Sequence, residues 1–382
     1  MRVNKWTWGL ATAGLVSLPA LIAQAEEQPS PILTALSSTT ISGFVDVSAH
    51  WDIGSDNAAN PPPYIYNQGK SDGFNLNKIK LRVERPLDEA QWSAGYRADL
   101  LFGPDANIFA TQSTFPTTAD FAIQQAYVAL RAPVGNGLDM KLGVWDSIIG
   151  YESHDNGNNP NYTRSYGTTI EPHTHTGLLA TYQVFDSLGI AAGIANTMIS
   201  PINSRSPRGE SHKTYMASAA FTLPEQTGFL AGSTVYAGFV EGFGGTTGED
   251  QANYYVGATL NTPQAGVKIG AAIDYVSDFF GVDGASARTY AAYLSFEATE
   301  KMSIHARAEY ADIDDVVLFG VGGSDIFALT GTLEYDLWRN VLSRFELRWD
   351  HGASGGAVFG GTPGNPSRKN EFLAAANLIY KF

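Results

Sequence analysis

Several groups of residues in this 382-residue chain have the types and spacing that chemistry needs. Gly352-Ala353-Ser354-Gly355-Gly356 spells G-x-S-x-G, the motif of a serine nucleophile. That motif works only on a strand–turn–helix elbow that exposes the hydroxyl. Here it falls in a glycine-rich stretch with no helix pattern after it. Gly242-Phe243-Gly244-Gly245 has no following helix whose N-terminus could hold phosphates. His173 and His175 would share one strand face about 7 Å apart, a spacing that suits a metal. Gly177 and Thr181 share that face, so a wet polar wall explains the pair more simply. Asp312, Asp314 and Asp315 supply calcium-type oxygens, but a solvated acidic loop accounts for them. The expectation is no catalytic residue, no cofactor and no metal. The remaining group is ionic. Lys78, Lys80 and Arg82 alternate along one segment, Arg97 stands in the next, and Glu152, Asp155 and Arg164 lie in a long polar stretch. Clustered like charge is costly in a dry core and sustainable in water. The chemistry to expect is ion steering along a water-lined wall.

Composition narrows the classes. There is no cysteine, so disulfide scaffolds and thiol catalysis are excluded. Asp plus Glu number 38 against 24 Lys plus Arg, a net charge of −14, and this acidity argues against a nucleic-acid partner. With 7 Trp, 18 Tyr and 20 Phe the chain is too aromatic to be disordered.

Residues 1–25 read as a secretory signal. Arg2 and Lys5 give a positive start, Trp6 to Ile22 is mostly apolar, and Ala23-Gln24-Ala25 is a small-x-small cleavage site. Its removal takes Arg2 and Lys5 away, and the charge of −14 becomes −16. Residues 26–39 form a short periplasmic leader, and 40–382 form the single structural domain. After the leader no stretch is long and apolar enough for a spanning helix. The exported chain is either soluble or crosses a membrane as strands.

The elements that must carry the charges follow a period of two throughout. Ile79, Leu81 and Val83 oppose Lys78, Lys80, Arg82 and Glu84. Ile304, Ala306, Ala308 and Tyr310 oppose Ser303, His305, Arg307 and Glu309. Phe345, Leu347 and Trp349 oppose Arg344, Glu346, Arg348 and Asp350. So many charges on one strand face require that face to be wet. Sixteen such segments are expected, near 40–51, 74–85, 91–102, 121–131, 138–146, 172–183, 189–198, 212–223, 229–240, 251–261, 267–277, 287–298, 302–313, 326–336, 341–350 and 371–382. The faces of the fourth and ninth are ambiguous. Each segment has the length a tilted strand needs to cross a bilayer.

The connections alternate short and long, from 86–90 and 132–137 to 103–120 and 147–171. Short turns on one side and long loops on the other are the rule of an outer-membrane barrel. The fold expected is all-β, a 16-stranded antiparallel transmembrane β-barrel with short periplasmic turns and long extracellular loops. Trp51, Trp92, Trp349, Tyr380 and Phe382 lie at strand ends, where interfacial aromatics belong. The last strand puts Phe372, Ala374, Ala376, Leu378, Tyr380 and Phe382 on one face and ends in Tyr-x-Phe.

Several segments carry a family resemblance. They are Ser42-Gly43-Phe44-Val45-Asp46, Phe74-Asn75-Leu76-Asn77, Glu84-Arg85-Pro86-Leu87-Asp88, Leu100-Leu101-Phe102-Gly103-Pro104-Asp105 and Gln125-Ala126-Tyr127-Val128. The longest runs from Ile149-Gly150-Tyr151-Glu152 through Gly157-Asn158-Asn159-Pro160-Asn161-Tyr162-Thr163-Arg164-Ser165-Tyr166 to His175-Thr176-Gly177-Leu178-Leu179. The chain resembles the β-barrel porin-2 (OmpL-like) family, densely over about 40–180. The resemblance implies an outer-membrane porin of a Gram-negative envelope and carries over no catalytic residue.

The function expected is therefore a water-filled channel for passive diffusion of small hydrophilic solutes and ions. The alternatives are a substrate-selective channel for sugars or organic anions and, with no convergent nucleophile group behind it, an outer-membrane barrel enzyme. Expected partners are outer-membrane lipid, lipopolysaccharide and the permeating solutes. A homotrimer is expected by analogy with porins of this size, with small-residue strands such as Gly189–Ala195 as candidates for the lateral contact. The connection Ser147–Glu171 follows the fifth strand and is expected to fold into the barrel and narrow it. Glu152 and Asp155 would then face Lys78, Lys80, Arg82 and Arg97 across an eyelet, setting up a transverse field. Arg164 would pair with Glu152 or Glu171. Acidic loops at the mouths argue for weak cation preference at low salt.

Overall fold

The computed structural model describes residues 39–382 other than 55–59, 63–69, 71, 110, 112–119, 246–248, 315–323 and 363. The signal segment and nearly all of the leader lie outside the described residues. Sixteen strands run as β1 (Thr40–Asp52), β2 (Gly73–Arg85), β3 (Ser93–Phe102), β4 (Phe121–Ala132), β5 (Leu138–Asp146), β6 (Thr174–Phe185), β7 (Leu188–Ala195) and β8 (Thr214–Thr222), then β9 (Thr234–Phe243), β10 (Asp250–Asn261), β11 (Val267–Ser277), β12 (Ser286–Glu297), β13 (Met302–Asp314), β14 (Ser324–Trp338), β15 (Val341–Gly352) and β16 (Asn370–Lys381). Each pairs antiparallel with its neighbours in sequence, and β1 pairs with β16. Closure leaves no sheet edge, which a membrane demands because lipid cannot satisfy a free backbone amide. At the seam, Gly43 and Phe382 exchange backbone hydrogen bonds of 2.9 and 3.0 Å.

Alternation sets the two faces. In β13, His305, Arg307 and Glu309 are buried inside while Ile304 and Tyr310 are exposed outside. In β16, Glu371, Leu373, Ala375, Asn377 and Ile379 point inward and Phe372, Leu378 and Tyr380 outward. Aromatics crowd the outer rims: Trp51 meets Phe74 edge-on at 6.2 Å, and Trp349 stacks on Phe372 at 6.4 Å. Such amphipathic rings suit the membrane–water boundary.

The two strands with ambiguous faces break the alternation for identifiable reasons. Asp99 pairs with Gln125 and Leu100 with Ile123, so Gln124 is the extra residue of a β-bulge, and both glutamines turn inward. In β9, Tyr236 and Val240 are buried inside while Val235 and Phe239 are exposed outside, so both faces are apolar. That strand starts at Thr234 rather than 229, because Glu225–Leu230 coils into a short 3-10 turn. The turn 223–233 is consequently longer than the opposite loop 244–249, and the short–long rule fails there.

The interior is divided. On the side of β5–β12 it is apolar: Trp145, Leu179, Met216, Tyr236, Val240 and Tyr255 form one cluster with Ile148 and Ile149 from the connection after β5. Ala191 and Ala195 of β7 belong to this internal cluster, and Gly193 lies against the Leu179 and Met216 side chains. Gly189, Ala191, Gly193 and Ala195 make room inside the barrel, and Ile190, Ala192 and Ile194 form the exposed outer face of the same strand. The opposite side, from β13 round to β3, is ionic.

Candidate functional site: the loop across the lumen

The connection between β5 and β6, residues 147–173, turns into the barrel. The Tyr236 hydroxyl of β9 donates to the Ile148 carbonyl. Tyr151 stacks on Tyr293 of β12, centroids 4.1 Å apart at 18°, an arrangement worth roughly 1 kcal/mol beyond its burial. Gly270 of β11 lies beneath the Tyr151 hydroxyl, where a Cβ would collide with it. The Glu152 carboxylate accepts from Arg307 of β13 at 2.9 Å. Asp155 then meets the opposite wall: its carboxylate lies 2.6 Å from Lys80 Nζ and 3.1 Å from Arg82 Nη2, both on β2. Between Glu152 and Asp155 the chain has crossed from β13 to β2.

The return path follows the wall. Asn156 donates to Asp46 of β1, and the Gly157 carbonyl accepts from Lys381 of β16 at 3.1 Å. Arg344 of β15 donates to the Asn159 and Asn161 carbonyls, both at 3.0 Å. Glu346 accepts the amides of Tyr162 and Thr163 at 2.6 and 2.9 Å. Arg307 donates to the carbonyls of Thr163 and Arg164 at 2.8 and 3.0 Å, and Arg348 to that of Arg164 at 2.6 Å. A one-turn helix, α1 (Tyr166–Ile170), follows, capped by the Ser165 hydroxyl, which accepts from the Thr168 amide at 3.3 Å. Glu309 accepts the Tyr166 amide at 2.7 Å, and the Tyr166 hydroxyl donates to Asp350 at 2.8 Å. Irregular backbone away from bulk water must find partners for each amide and carbonyl. Arginine forks take the carbonyls and glutamates take the amides, so the loop is stitched to β13–β15.

The residues singled out from sequence are distributed as follows. Lys80, Arg82 and Arg97 converge on Asp99 at 2.8, 2.9 and 2.7 Å. Lys78 donates to the His154 carbonyl at 2.7 Å. Asp155 reaches the basic wall by direct contact, so charges expected to face each other across water are paired. Glu152 does not face that wall: the loop passes β13 first, and Arg307 takes it. Arg164 pairs with neither Glu152 nor Glu171. Its guanidinium donates to Asn156 and the His154 carbonyl, while Glu152 is held by Arg307 and Glu171 lies near the Asp274 carboxylate.

Burial alone would raise the Asp155 pKa, but Lys80 and Arg82 outweigh it and hold the carboxyl well below its ordinary range. Burial, then the neighbouring Asp274 carboxylate, pushes Glu171 well above its ordinary value. Burial, then His173, Lys78 and Arg164, keeps the His154 imidazole neutral.

The other candidate groups do not assemble. His173 packs on His154 and Phe109, with centroids at 5.2 and 5.9 Å, whereas His175 lies opposite Trp145. The Ser354 hydroxyl accepts the Asp325 amide at 2.9 Å. Asp312 faces Arg288 at 3.9 Å, and Asp315 and the Asp314 side chain lie outside the described residues. Among the described residues no three His, Cys, Asp or Glu side chains gather for a metal. The clamp residues Arg307, Glu309, Arg344, Glu346, Arg348 and Asp350 were legible as inward charges. Their partners lie far away in sequence and were not.

Solved outer-membrane barrels share this architecture. The anion-selective porin from Comamonas acidovorans superposes with a TM-score of 0.61 at 11% identity, over 90% of this chain and 99% of that one. Salmonella typhi OmpF gives 0.61 at 10% identity, over 90% and 97%. The trimer form of Vibrio cholerae OmpT gives 0.56 at 10% identity, over 90% and 99%. These share the fold. A comparison with curated proteins finds no match. The profile described as "Putative beta-barrel porin-2, OmpL-like" matches residues 38–382. With that match spanning the whole barrel, the chain belongs to the porin-2, OmpL-like family of outer-membrane porins, which is not a class of enzymes.

Proposed function

We propose that this porin passes small hydrophilic solutes and ions by passive diffusion, and that residues 147–173 set the size of the passage. The observation that carries this is the loop's path. It spans the lumen between Arg307 and Lys80 and is bonded to the wall on both sides. Lys80, Arg82, Arg97 and Asp155 form the ionic side of the constriction, with Lys78 and Arg164 behind it and Glu152 at the far anchor. Sixteen strands leave a lumen wide enough for water, and an inward loop narrows it without closing the ends. The passage is narrow because clamped backbone cannot yield to a large solute.

Export through the inner membrane by cleavage after Ala25 fits the signal-like start. A homotrimer fits the trimer form described for Vibrio cholerae OmpT. Native mass in detergent reports the assembly, and a monomer alone excludes the trimer. Purified protein in a planar bilayer is expected to conduct in steady steps. A folded barrel that never conducts defeats the reading.

A further inference from the structure

The loop covers the inner wall from β9 through β16 to β2, its first residues Ile148 and Ile149 also cover Leu179 of β6 and Ala191 and Ala195 of β7, and below these the inward face of β3–β6 stays open. There the inward residues Arg97, Tyr127, Lys141, Thr181 and Gln183 are partly exposed, whereas Arg307, Glu309 and Glu346 on the covered wall are buried. β3–β7 turn three cations inward. Arg97 is paired with Asp99 and, at 3.8 Å, with Glu84. Arg131 is paired with Asp139 at 2.6 Å. Lys141 has no carboxylate within salt-bridge distance among the described residues. Its ammonium sits over the Tyr127 ring, 5.0 Å from the centroid. Lys141 pairs across the sheet with Leu179, and both Leu179 and Tyr127 pack in the internal cluster that holds Ile148 and Ile149 of the loop, so Lys141 stands at the edge of the patch where the loop begins.

We propose that Lys141 is the selectivity residue of the passage and that it makes the porin prefer small anions, chloride and monocarboxylates among them. The inference rests on the loop being the constriction. Tyr127 orients the ammonium without neutralising it, because an aromatic face attracts a cation but carries no net charge. The paired cations around it present little net field to a solute. Among the described residues Lys78 and Arg164, behind the loop, also lack a carboxylate within 4.0 Å, so no acidic surplus there offsets Lys141 from that side. The acidic loops act at the mouths and are screened beyond about 8–10 Å. Lys141 acts where the solute must pass close by. A unit charge about 6 Å away in water changes the local concentration of a monovalent ion about threefold.

The test is the reversal potential in a potassium chloride gradient across a planar bilayer, for the full protein and for Lys141→Gln, Lys141→Glu and Lys141→Arg. The full protein is expected to favour chloride. Lys141→Gln should lower the chloride-to-potassium permeability ratio about tenfold at low salt, as chloride falls and potassium rises about threefold each, Lys141→Glu should reverse the preference, and Lys141→Arg should keep it. All four should conduct. A ratio that stays the same in Lys141→Gln and Lys141→Glu, with conductance intact, overturns the role of Lys141 and leaves the porin reading standing. A cation-preferring full protein overturns it as well. Absence of conductance in the full protein instead contradicts the porin reading itself.

Discussion

Lys80 and Asp155, 75 positions apart in sequence, are joined at 2.6 Å, and their contact ties the loop to the wall opposite the one Glu152 holds. Lys80 is also 2.8 Å from Asp99, and Arg82 bridges Asp99 and Asp155, so the four side chains form one closed ionic group. Asp155→Asn removes one of the two acids and leaves Lys80 and Arg82 sharing Asp99. The expected result is a shift of the reversal potential toward anions, opposite in sign to Lys141→Gln, with noisier open-channel current because one end of the chord is freed. An unchanged reversal potential with unchanged noise contradicts the assignment.

Arg307 is the most heavily used side chain of the clamp. It is buried and donates to Glu152, Glu309 and the carbonyls of Thr163 and Arg164. Arg307→Gln strands two carboxylates, which costs about 3–5 kcal/mol when a buried pair is broken. Thermal stability should fall and conductance should rise as the loop loosens. Arg307→Lys should recover little, since a single ammonium cannot reproduce the fork that reaches two carbonyls and a carboxylate together. Equal behaviour of the lysine variant and the original protein argues against a geometric clamp.

The sequence carried the barrel and not the clamp. Strand number and faces were readable because β2, β13 and β15 alternate charge with apolar residues along their whole length. The face of β4 was hidden by the Gln124 bulge. That of β9 was hidden because Ile148 and Ile149 cover Tyr236 and Val240 from inside, making an inner face as apolar as an outer one. Charge alone sets both Glu152 and Asp155 against the basic wall, and Asp155 reaches it. Glu152 does not, because its partner depends on which strand the loop crosses first, and nothing near residue 152 encodes Arg307.

Glu171 gives the loop a pH-dependent anchor. Its carboxyl lies near the carboxylates of Asp274 and Glu152, and a Cβ on Gly150 would collide with it. Its pKa is raised in the folded barrel, so its contribution is fully present below the ordinary value of 4.5 and is lost as pH rises toward the raised value. Conductance should grow, or fluctuate more, on the alkaline side. Glu171→Gln, which stays neutral, should flatten that dependence. A pH profile unaltered by the substitution removes Glu171 from the anchor.

Gly270→Ala tests the seat of Tyr151. The added methyl meets the tyrosine hydroxyl, and overpacking of this kind costs about 1–3 kcal/mol. The barrel should remain closed while the aromatic stack on Tyr293 is displaced, visible as a lower melting temperature and higher conductance. Ala substitution at Gly331 of β14, where a Cβ meets nothing within 4 Å, is the matched control and should change neither.

The central claim is that residues 147–173 form the constriction of this porin. Single-channel conductance of a variant lacking Tyr151–Tyr166, with the cut joined by a short Gly-Ser bridge and β-sheet content verified by circular dichroism, addresses it most directly. The account predicts steady steps severalfold larger than those of the full chain, with the anion preference reduced because solutes no longer pass close to Lys141. A folded deletion variant whose conductance equals that of the full chain would contradict the account and put the loop outside the passage.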